Sequence, residues 1–454
     1  MAGLTVAHRV ALSAVFERAS DSMLNALSAA SGVLHGVRAD ELRVMLHTEI
    51  LERRRRQAVL GPILPMFKPR ADGVEAVTFP PSVVKRLWET ASAREPDILF
   101  QLDADEPAKV SAVADRICLS AAMAVRDRPH SIWPEDEAPD RRQAGLDALA
   151  ASLDLTPVLR RRLPSLDAWV KRPDEDQLAD LRLLLRDCTA IHSDGAYRAM
   201  DAVFAHLEDA VLVLRIIALS AGGAGRETFV AGSEMAVFVD RIVAATRVRV
   251  ARIVAFKPAQ GTGGVDAVIE DLKWCAASLT ELDVTLDLSA HGRWGKATKE
   301  CRVALDTHMG GVMRAAGRAL AKALPMEKVA VTGSVKRNAP QLTAPADGPN
   351  IDAARDLLRL VGALRGPAAV FGVEADRNTL VDELTDRLSD WSDEAMTEIN
   401  DGEVPDPVHA LKLVTFAADG LADIGMKDSA RALRRRVAVV RMRKPKAGAS
   451  SRAA

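Results

Sequence analysis

The chain has 454 residues, 48% hydrophobic and 27% charged, too long for one ordinary core and too apolar for wholesale disorder. Aromatic residues make up 4%, with a single Tyr, which leaves little to stack on a base, a sugar or a flat cofactor. The formal net charge is −1, yet from position 427 onward ten Lys and Arg residues stand against one Asp, so a basic end sits on an acidic body.

The chain opens Met1-Ala2-Gly3-Leu4-Thr5, with no charged start before an apolar run, so no secretory leader is expected. The most apolar stretch, 211–224, carries Arg215 and is too short to span a bilayer. Cys118, Cys188, Cys275 and Cys301 are isolated, as in reduced buried thiols rather than a disulfide frame or a zinc site. These features imply a soluble cytoplasmic protein of bacterial type.

An N-terminal helical region covers 1–128, interrupted at 61–81 by a Pro-rich insertion where Val74, Val77 and Phe79 suit a short extended piece. Arg53, Arg54, Arg55 and Arg56 fill four successive helical positions, so they point all round their helix and make no single binding stripe. Arg160, Arg161 and Arg162 repeat the pattern in miniature. An acidic Pro-rich break at 129–139 leads to a central bundle over 140–325.

Within that bundle, Asp174 and Gln177 form a capping box ahead of an apolar face of Leu178, Leu181, Leu185, Cys188 and Ile191. Asp194 is read as the cap of a helix running through Tyr197 and Leu207 into 211–219, ended by Gly222, Gly223 and Gly225. Ser233 is read as the next cap. Ala236, Val239, Val243, Thr246, Val250 and Ile253 then make a bundle seam, with Arg241, Arg247, Arg249 and Arg252 mostly off it, until Pro258 stops the helix. Two further helices are expected near 265–282 and 294–324.

A flexible linker is expected at 326–350, where periodicity fades. A C-terminal helical region over 351–443 carries two seams: Leu380, Leu384, Leu388, Trp391, Ala395 and Ile399, then Ala430, Leu433, Val437 and Val440. A basic disordered tail closes the chain at 444–454. The fold class is thus all-α, with about fifteen helices in irregular N-terminal, central and small C-terminal bundles and no substantial β-sheet.

No catalytic signature emerges, and no cofactor or metal is expected. Asp382, Glu383 and Asp386 resemble a magnesium-binding acidic motif, but acids cover the whole face opposite the Leu/Trp seam, as on a solvated surface. His206 and Asp209 lack further ligands, and His192, Ser193 and Asp194 are too close in sequence to form a triad. Gly292, Arg293, Trp294, Gly295 and Lys296 open a helix, where free amides with Arg293 and Lys296 suit a phosphate, although the P-loop spacing is missing. A helix start with Trp294 turned inward is the simpler reading. Arg215 lies in a run apolar on all sides, which predicts a buried ion pair, with Glu234 as partner and Glu208 or Asp240 as alternatives.

The strongest basic patch is Arg434, Arg435, Arg436, Arg441, Arg443, Lys444 and Lys446, which suits phosphates, an acidic protein or the chain's own acidic body. The function expected is a non-catalytic helical scaffold or adaptor for protein–protein interaction. A nucleic-acid-associated protein using the basic C-terminus is the first alternative, and an all-helical enzyme the second.

Overall fold

The structure, a computed structural model, describes residues 3–133, 139–220, 226–258, 264–332 and 335–442. Among the described residues are twenty α-helices and one two-stranded sheet, so the chain is all-α. Four of the twenty are single turns of four or five residues, which accounts for most of the excess over the helices expected. Two compact units, Met1–Ala224 and Gly225–Ala454, divide within the stretch expected to be one central bundle. The glycine-rich stretch at that division lies outside the described residues.

The first unit contains α1 (Val6–Arg18), α2 (Asp21–Ser31), α3 (Val37–Leu60), α4 (Pro81–Arg94), α5 (Pro107–Asp127), α6 (Pro129–Ile132), α7 (Pro139–Arg160), α8 (Leu166–Trp169), α9 (Glu175–Ile191), α10 (Gly195–His206) and α11 (Leu212–Ser220). Proline opens α4, α5 and α6, where its fixed φ suits the first turn and its missing N–H costs nothing. At the α5/α7 contact Ala114, Ala121, Ala150 and Leu153 are buried, and small side chains let the helices approach closely. The insertion at 61–81 is ordered: Met66, Phe67, Val74 and Phe79 are buried, and the Phe79 amide donates to the Met66 carbonyl at 2.8 Å.

Asp174 and Gln177 make the capping box, each side chain bonding the other's amide. Asp194 makes no capping hydrogen bond; its carboxylate pairs with Arg198 at 2.7 Å. The helix expected to continue into 211–219 breaks after His206. Asp209 accepts the Val211 amide through its side chain and the Leu212 amide through its carbonyl, and this turn starts α11.

The second unit contains α12 (Glu227–Ala231), α13 (Ala236–Ala255), α14 (Gly264–Thr285), α15 (Arg293–Ala323), β1 (Met326–Thr332), β2 (Val335–Pro340), α16 (Pro349–Ala363), α17 (Ala368–Phe371), α18 (Glu374–Asp401), α19 (Pro407–Asp423) and α20 (Lys427–Met442). Met235, not Ser233, holds the cap position of α13; the Ser233 hydroxyl donates to the Val230 carbonyl and accepts the Met235 amide at 3.3 Å. Residues 326–332 and 335–340, expected in a linker, pair as an antiparallel hairpin with Met326 opposite Pro340 and Lys328 opposite Asn338. Val329, Val331 and Val335 suit an extended chain, and the Gln341 amide closes on the Pro325 carbonyl at 3.0 Å.

One large core joins α13 to α20, and α15 runs through it with Cys301, Leu305, Met309, Met313, Ala316 and Leu320 buried. Arg249, expected off the α13 seam, is buried; its guanidinium stacks 3.8 Å from the Trp274 ring centre and faces Asp271 at 3.6 Å.

Candidate docking groove on helix α15

The start of α15 is fixed by a buried acid. Glu227, 3% exposed, accepts the backbone amides of Ser289 and Trp294, each at 2.8 Å. First-turn amides have no partner within the helix, and a carboxylate there is favoured by the helix dipole. Gly292 and Gly295 make room: a Cβ on Gly292 would lie 2.0 Å from the Glu227 carboxylate, and one on Gly295 1.9 Å from the Ser289 carbonyl. At residues 292–296 the chain's own Glu227 takes the backbone amides that a phosphate would need. Trp294 is buried and its Nε1 donates to Asp240 at 2.7 Å; Arg293 pairs with the same carboxylate at 3.0 Å.

Lys296 is turned elsewhere. It begins a stripe along α15 (Lys296, Lys299, Val303, Thr307, Gly311 and Ala315) that lines an open concavity of about 1100 Å³. The end of α13 forms one wall through Val254 and Phe256, and Leu357 of α16 contributes on the other side. The stripe steps by three and four residues, so it follows one face of the helix for about 28 Å. Val303 is 56% exposed and Val254 45%. At Gly311 an added Cβ would meet nothing within 4 Å, so the floor is open there.

The charges are at the N-terminal end of this groove. Among the described residues, Lys296 and Lys299 make no ion pair, whereas Glu300 is engaged by Arg247 at 2.7 Å. His308 is half-buried farther along, and burial holds its pKa below the ordinary value, which favours the neutral ring. An apolar trough with two free ammonium groups at one end can bury an apolar stripe and attract negative charge.

The other sequence candidates are engaged locally. In α20, Arg434 pairs with Asp419 at 2.7 Å and Arg436 with Asp393, so part of the basic patch is answered by the protein's own acids. Arg435 is exposed, while the side chain of Arg441 and all of Arg443, Lys444, Lys446 and the tail at 444–454 lie outside the described residues. Arg215 is half-buried, which corrects the expectation of burial on all sides; it donates to the Lys171 carbonyl. Glu234, its expected partner, is exposed and belongs to the second unit.

His192 Nε2 lies 3.0 Å from Asp154, and His206 Nε2 2.9 Å from the Pro62 carbonyl. Asp382, Glu383 and Asp386 are exposed, and no metal-holding cluster of His, Cys, Asp and Glu occurs among the described residues. The sequence reading missed Val303, Thr307 and Gly311. Their signal is an apolar arc on α15 wider than one seam, since Leu305, Met309 and Met313 already serve the core.

No known family matches the chain, and no curated protein or solved structure shows significant similarity to it. No helix among the described residues is long and apolar enough to cross a membrane.

Proposed function

We propose that this protein is a non-catalytic adaptor whose α15 groove receives an amphipathic helix of a partner protein, acidic at the end that reaches Lys296 and Lys299. The observation that carries this reading is a stripe that no described residue covers: exposed Val303 and Val254 with an open floor at Gly311, on a helix whose opposite face is packed in the core. A helix presents apolar residues at the same three- and four-residue steps and keeps its polar back in water. An acyl chain in so open a trough would leave one side wet, so the groove suits a helix better.

The nucleic-acid alternative is less supported, because Arg434 and Arg436 are already paired with carboxylates of α19 and α18. The four cysteines are free and buried, which supports a reducing compartment such as the cytoplasm.

Selection from a displayed library of helical peptides tests the proposal. The selected sequences are expected to share apolar residues at i, i+3 or i+4, and i+7, with Asp or Glu clustered at one end. They are expected to lose binding to a Lys296→Glu, Lys299→Glu double variant. Selected peptides that bind this variant as well as the wild type would contradict it.

A further inference from the structure

The first unit holds a second concavity, of about 1080 Å³, between the C-terminal half of α3, the start of α4 and the turn at 64–67. Pockets for small organic ligands run to about 1,000 Å³. Leu64, Pro65, Phe67 and Val84 supply apolar wall, and the charged groups decide what the cleft would hold.

Most of those charges have structural work. Arg53 donates to the carbonyls of Phe16 at 2.7 Å and Ala19 at 2.9 Å, closing the end of α1, and pairs with Asp21 and Glu49. Lys85 pairs with Glu17 at 2.7 Å. Glu52 accepts from Trp88 Nε1 at 2.7 Å and from Arg55 at 3.1 Å. Left over are Arg54, Arg56 and Lys68, which line the cleft with no hydrogen bond or ion pair among the described residues. One carboxylate, Glu89, is in the same condition. Arg56 is half-buried, while Arg54 and Lys68 are exposed.

Arg54 and Arg56 are two positions apart, about 200° around the helix, so they leave α3 on opposite edges of Arg53. They bracket the cleft instead of converging on one point, and Lys68 adds a third cation from the loop after the turn. We infer that this cleft binds a small organic polyphosphate, its chain of anionic groups held by Arg54, Arg56 and Lys68 and its organic body lying against Leu64, Phe67 and Val84. Guanidinium groups pair well with phosphate oxygens; Arg54, Arg56 and Lys68 are the unengaged cations of a cleft whose other acids, Glu17, Asp21, Glu49 and Glu52, are held by Lys85, Arg53 and Arg55.

The probe is inorganic tripolyphosphate, titrated calorimetrically into the full-length protein at low salt, with orthophosphate alongside. The expected result is one saturable site, at least tenfold tighter for tripolyphosphate than for orthophosphate. Arg56→Gln and Lys68→Gln are expected to weaken it tenfold or more, Arg54→Gln at least threefold, with partial recovery in Arg56→Lys. None of the three side chains is bonded in the fold, so the variants should melt with the wild type, separating loss of the site from loss of structure. Arg435→Gln, which removes an exposed cation of α20, should leave binding unchanged. Absence of tripolyphosphate binding, equal binding by the three cleft variants, or an equal loss in Arg435→Gln would each overturn the proposal.

Discussion

The Glu227 carboxylate accepts the backbone amide of Trp294 at 2.8 Å, so a buried side chain does at the start of α15 what a bound anion would otherwise do. The same carboxylate holds the Ser289 amide, which ties the preceding turn to the helix that floors the groove.

Removing that carboxylate should therefore be costly. Glu227→Ala leaves the buried Trp294 amide unpaired and is expected to destabilise the protein by about 2–3 kcal/mol. Gly292→Ala should cost a comparable amount, since its Cβ would strike the carboxylate. Urea denaturation followed by tryptophan fluorescence measures both; variants that unfold at the wild-type concentration would show that the cap contributes nothing.

Gly311 behaves oppositely. Its surroundings are open and its position is helical, so Gly311→Ala should stabilise the protein by up to about 1 kcal/mol through helix propensity alone. A loss of stability in the same denaturation experiment would mean that the groove floor is not open.

Asp423 gives a dependence on pH. Burial pushes its carboxyl up to about 6, against the opposing pull of Arg359, while the nearby charge of Asp419 adds to the rise. The ionised form is thus disfavoured in the fold, so this residue's contribution to stability improves as pH falls through 6 toward 4. Asp423→Asn should be more stable than the wild type by about 1–2 kcal/mol at pH 7.5, the difference fading by pH 4. A difference that stays constant with pH would refute the assignment.

Cys118, Cys188 and Cys275 are buried, and loss of solvation pushes their thiols up to about 12. They should resist a thiol reagent at pH 8 and react only as fast as the protein opens, all four cysteines becoming reactive in denaturant. Rapid labelling of the native protein would contradict this.

Much of the fold was legible because its signals are local. The capping box at Asp174 and Gln177 lies within one turn, and the Leu384, Leu388 and Trp391 seam needs only the helical period. The misread features depend on distant partners. Ser233 and Asp194 have capping side chains, yet one bonds Val230 and the other Arg198. Residues 326–332 and 335–340 look structureless one strand at a time and gain order only by pairing.

The groove was hidden for a related reason. Val303 and Thr307 look like ordinary helix positions until Leu305 and Met309 are seen to satisfy the core without them. Likewise, four consecutive arginines do point in different directions, but which of them remain unengaged depends on Phe16, Ala19 and Asp103, far away in sequence.

The most direct measurement is the affinity of a selected amphipathic helix for the wild type and for Gly311→Leu. Leucine would fill the open floor at Gly311, so the account predicts binding weaker by about thirtyfold, roughly 2 kcal/mol, in a protein no less stable than the parent. Undiminished binding to Gly311→Leu would place the partner elsewhere and contradict the groove as the docking site.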